Sequence, residues 1–103
     1  MVDAHQALLD ALCNRIDKDH DLVAGETSSR AWASATFTGA RHCYSVMLSG
    51  PAASAQASRL AGGLDAMEFD LPGHLVADIA LVSRHDTQQG VAMTLEALTV
   101  EDC

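Results

Sequence analysis

A chain of 103 residues suffices for one domain and is too short for two, so residues 1–103 are expected to form a single unit. With 49% hydrophobic and 19% charged residues it is no disordered tail, and 18 alanines against four aromatics (Trp32, Phe37, Tyr44, Phe69) foretell a thin, small-residued core. A net charge of −8 argues against nucleic acid and anionic membrane as partners, because Lys18 and the five arginines (Arg15, Arg30, Arg41, Arg59, Arg84) are scattered and form no basic patch.

Residues 3–16 read as an amphipathic helix, with Leu8, Leu9, Leu12, Cys13 and Ile16 on one stripe. Asp3 is the expected cap, and Gln6 stands where a capping box places its returning side chain. The polar run Asp17-Lys18-Asp19-His20-Asp21 ends the stripe, and the stretch from Asp21 to Arg30 is loop-like in composition. Three alternating acids suggest a calcium loop. That pattern wants glycine sixth and glutamate twelfth, where this chain has Leu22 and Ser28, so a solvated charge run is the better reading.

Strand alternation begins near Arg30 and runs to Thr38, with Gly39-Ala40-Arg41 as a short hairpin turn and a second strand from His42 to Ser49. Ser49-Gly50-Pro51 reads as a helix entry. The helix, Ala52 to Ala61, is nearly all alanine, serine and glutamine, and Gly62-Gly63 stops it. Ala66 to Leu71 alternates as a short lead-in strand, broken by Pro72-Gly73. A last strand pair follows, Leu75 to Arg84 and Val91 to Val100, joined by the polar loop His85 to Gly90.

The expected fold is therefore α+β: a two-layer sandwich with both helices on one face of a four-stranded, antiparallel-rich sheet, in the order αββαββ. Written as a cycle, that order is the ferredoxin-like one with its first strand moved to the C-terminus, a circular-permutant topology. Leu75, Ile79, Leu81, Val91, Met93, Leu95, Tyr44, Val46 and Phe37 are assigned to the helix side. The other side then carries Trp32, Cys43, Met47, Val76, Ala80, Val82, Leu98 and Val100 among polar residues, and is too apolar for a solvated face.

No catalytic signature stands out. His74 and Asp78 lie too far apart along one strand to touch, and Cys43 and His42 point to opposite faces. Three cysteines at wide spacing build neither a disulfide framework nor a zinc site. Asp78 and Glu96 depend on register. Paired numbers summing to 174 put the two carboxylates side by side, where one would titrate high; a sum of 176 sets Glu96 against Ala80.

Two functional readings follow. The first is a small cytoplasmic homodimeric binding or interaction module that uses the open sheet face, with Trp32 as anchor and Val82 and Leu98 in the contact. The alternative is a small enzyme or small-molecule binder with an acidic site at Asp78 and Glu96 on that face. Neither reading calls for a metal or cofactor. The cytoplasmic expectation rests on the thiols and on an opening segment, Met1 to His5, without the basic region of a signal peptide.

Overall fold

The computed structural model describes residues 3–14, 21–64, 69 and 71–101. Two helices, α1 (Ala4–Asn14) and α2 (Ala53–Gly63), and four strands, β1 (Asp21–Ala33), β2 (Thr38–Ser49), β3 (His74–Thr87) and β4 (Gly90–Glu101), make an α+β fold. The sheet is antiparallel throughout, in the order β1-β2-β4-β3.

Helix α1 starts where the Asp3 carboxylate accepts a hydrogen bond from the His5 amide (3.0 Å), satisfying one of the free N–H groups of the first turn. Gln6 does not reach back to the cap; its amide donates to Asp10, one turn ahead, at 2.9 Å. The helical spacing of Leu8, Leu9 and Leu12 delivers all three to the core. Helix α2 has no side-chain cap and buries Ala53, Gln56, Ala57 and Leu60. Its small residues leave little bulk for the core, and Arg84 of β3 braces it from outside. That guanidinium donates to Ser58 Oγ (2.9 Å) and to the Ser54 carbonyl (3.1 Å) while pairing with Asp86 (2.8 Å). The Arg84 hydrogen bond, seconded by Ser54, holds the Asp86 carboxyl below its usual range.

Both helices pack on the same side of the sheet into one core with Tyr44, Val46 and Leu48 of β2, Ile79 of β3, and Val91, Met93, Leu95 and Ala97 of β4. Burial alternates from His42 to Ser49 of β2 and from Val91 to Val100 of β4. Along β1, Leu22 packs against the core, whereas Ala24, Thr27, Ser29 and Ala31 face the helix side yet stay exposed.

Several sequence expectations are corrected. The stretch 21–30 is strand, not loop, because Asp21 to Ala24 pair with the second half of β2. The hairpin turn lies at Ser34–Phe37, not at Gly39-Ala40-Arg41. The Ser34 amide donates to the Phe37 carbonyl (2.7 Å), and its hydroxyl accepts from the Phe37 amide (3.0 Å). Phe37 is thereby a turn residue, 55% exposed, and not part of the core. Leu75 and Val76 exchange sides because β3 carries an extra residue, Ala77, between Val76 and Asp78; a bulge resets the two-residue alternation. The acidic run Asp17 to Asp21, apart from Asp21, and most of the lead-in strand Ala66 to Leu71 lie outside the described residues. Leu71 itself forms an isolated bridge with His74.

Candidate functional site

The cross-strand register composes the face of the sheet that the helices leave open. From β1 to β3 its rows are Trp32–Gly39–Val100–Leu75, then Arg30–Arg41–Leu98–Asp78, then Ser28–Cys43–Glu96–Ala80. Beyond Ser45, Thr94 and Ser83 the last row is Val23–Met47–Ala92–His85. Leu75 (56%), Val23 (60%) and Met47 (37%) are exposed on this face. Val82, the extra residue of a second β3 bulge, is 54% exposed.

Around the two middle rows the face is hollowed into an open depression of about 560 Å3, lined by Arg30, Arg41, Cys43, Asp78, Glu96 and Leu98 among others. The numbers of the central β3–β4 pairs sum to 176. Glu96 accordingly faces Ala80, Asp78 faces Leu98, and the directly opposed carboxylate pair is not formed. Both acids still line the same depression.

Sequence reasoning treated the arginines as scattered, yet Arg30 lies directly opposite Arg41. Two like charges at paired positions repel, and neither has an acidic partner among the described residues. The misplaced turn hid this contact: pairs across a turn at Ser34–Phe37 sum to 71, which joins 30 to 41.

Trp32 sits at the end of the open face, where its ring passes over Gly39. The indole N–H is shielded from solvent and finds no acceptor, an arrangement that costs about 1–3 kcal/mol.

A second cluster lies on the helix side, and sequence reasoning missed it. His42 of β2 is 3% exposed. Its Nδ1 lies 2.9 Å from Nδ1 of His5 in α1, and its Nε2 lies 2.8 Å from the Thr99 hydroxyl. A hydrogen bond between two Nδ1 atoms holds one proton, so one ring must present a bare nitrogen. The pair therefore carries at most one positive charge while it stays bonded. His5 Nε2 is buried and unpartnered at the end of this chain. The available signal was a titratable residue, His42, in the same alternation as Tyr44, Val46 and Leu48.

Burial first, then the neighbouring His5, lowers the His42 pKa; Asp3 opposes them and His74 adds to them. An unfolded chain takes up this proton near pH 6.5, the folded one only at lower pH. Stability is thus fully present above about pH 6.5 and falls as pH drops from there through the folded pKa. Chemical denaturation at pH 7.5 and 5 should show a smaller acid loss for His42→Gln than for the wild type. Equal losses would mean that His42 is not the group responsible.

The other candidates place as follows. Cys13 and Cys43 are free thiols; burial, with Asp10 nearby, pushes Cys13 up. Among the described residues no three of His, Cys, Asp and Glu are placed to hold a metal ion, and no helix is long and apolar enough to cross a membrane. The chain matches no family model, no curated protein and no solved structure.

Proposed function

We propose that this protein is a small homodimeric binding module, cytoplasmic in location, whose open sheet face makes the contact. The observation that carries this reading is the composition of that face, where exposed Val23, Met47, Leu75 and Val82 stand with Trp32, Leu98 and Val100 and neither described helix covers them. An uncovered antiparallel face is ordinarily polar, and an apolar patch this extensive marks a contact surface.

The finer topology belongs to the same proposal. The element order supports a circularly permuted ferredoxin-like arrangement, since moving β4 to the front gives βαββαβ.

Native mass spectrometry of the untagged protein is the test. A dimer is expected, and Leu98→Lys, which sets a further cation against Arg41, and Val82→Glu, which buries an unpaired charge, should each shift it to monomer. A monomeric wild type would overturn the reading. A second reading, a small-molecule binder, is favoured by the unpartnered Asp78 and Glu96 in one depression; its signature is a monomer carrying a reproducible small adduct.

A further inference from the structure

We propose that two copies of this chain stack open face to open face about a two-fold axis parallel to the strands, between β2 and β4. The proposal rests on the homodimer reading above and supplies its geometry.

Four charges on the open face set the geometry. Arg30 and Arg41 sit on the β1–β2 half of the face, Asp78 and Glu96 on the β4–β3 half, and all four line one depression. None has an ion-pair partner among the described residues. Within the depression the β1–β2 half is thus basic and the β4–β3 half acidic, with two charges on each side.

Face-to-face dimers with closed symmetry have their two-fold axis in the plane of contact. An axis across the strands lays each strand over its own copy, which sets the arginine-bearing half on the arginine-bearing half and the carboxylate-bearing half on its like. An axis along the strands lays β1 over the partner's β3 and β2 over its β4. Only this choice brings the basic half onto the acidic half.

The rows then match one by one. Arg30 meets the position of Asp78, and Arg41 lies over the position of Leu98 with Glu96 one row away. Trp32, with its ring lying over Gly39, meets the positions of Leu75 and Val100. Stacked sheets lie about 10 Å apart, a gap that an arginine and an aspartate can bridge together. Twisted sheets pack at about 30° to each other, which displaces the edge strands by roughly 4 Å, within reach of an arginine. Four strands across and about 30 Å along them give roughly 600 Å2 per protomer, and about 1,200 Å2 in all meets the lower bound for a stable interface.

The test uses exchange of charge. Arg30→Asp sets Asp against Asp78 twice in its homodimer, and Asp78→Arg sets Arg30 against Arg twice. Each variant should raise the dimer dissociation constant by about tenfold or more. Mixed together, they place opposite charges at both contacts, so native mass spectrometry should show a one-to-one heterodimer well above the level of either homodimer. Both positions are exposed on edge strands, and circular dichroism checks that each variant is folded.

A wild-type monomer would defeat both the homodimer reading and this geometry. A wild-type dimer that Leu98→Lys dissociates, but that neither charge variant weakens, would keep the face and overturn the axis. Weakened homodimers with no heterodimer on mixing would overturn the axis as well.

Discussion

Tyr44→Ala is expected to lower stability by about 4 kcal/mol, the largest loss from truncating any one side chain here. Tyr44 is the largest fully buried side chain, at 0% exposure in the middle of β2. Its ring stacks on His5 at 4.6 Å between centroids, and its hydroxyl donates to the His5 carbonyl at 2.7 Å. Removing the ring opens a cavity between sheet and helix and frees the first turn of α1 at once. Tyr44→Phe keeps the ring and loses only the hydrogen bond, so it should cost about 1 kcal/mol. Urea denaturation at one fixed protomer concentration measures both, because a dimer's apparent stability moves with concentration. Equal losses would show that the hydroxyl, not the ring's volume, fastens α1 to the sheet.

Tyr44 also shows what could be read from the chain before its structure. Its alternation with Val46 and Leu48 identified the core face of β2, just as Met93 and Leu95 did for β4, because central strands obey the two-residue period without interruption. The edge strands defeat the same rule. Gly25 and Glu26 of β1, and Ala77 and Val82 of β3, fall at irregularities where the register shifts. Each shift inverts the side-chain assignment beyond it, and nothing in the local composition announces it. Leu75 therefore belongs to the open face although its spacing from Ile79 and Leu81 assigned it to the core. The site was half legible for a related reason. That an uncovered apolar face exists follows from two helices covering one side of a sheet, and Trp32, Asp78, Glu96 and Leu98 were named on it. The opposition of Arg30 and Arg41 depends on the hairpin turn, which the serine and threonine hydroxyls of Ser34–Thr36 did not signal as strongly as Gly39 did. A glycine inside a strand was mistaken for a turn.

Gly39 is in β2 for a different purpose, and Gly39→Ala is expected to cost about 3 kcal/mol or more. A Cβ built there falls 1.9 Å from the Thr99 carbonyl oxygen and 3.1 Å from Cε2 of Trp32. The first contact is with the backbone of β4, so no side-chain rotation relieves it. The β2–β4 pairing must open at the Gly39–Val100 end, where Trp32 rests. Gly62→Ala is the matched control, since a Cβ there meets nothing within 4 Å and the residue lies inside α2. Replacing a helical glycine by alanine should stabilise by about 0.5–1 kcal/mol. The same chemical change is thus expected to have opposite signs at two positions, as read by denaturation midpoints. Fluorescence of the chain's one tryptophan adds a local readout, because displacing the indole from Gly39 exposes it to water and shifts its emission to the red. If Gly39→Ala leaves both stability and emission unchanged, β2 and β4 do not approach as closely as this end of the sheet requires. The proposed row of Trp32 against a second copy would then lose its foundation.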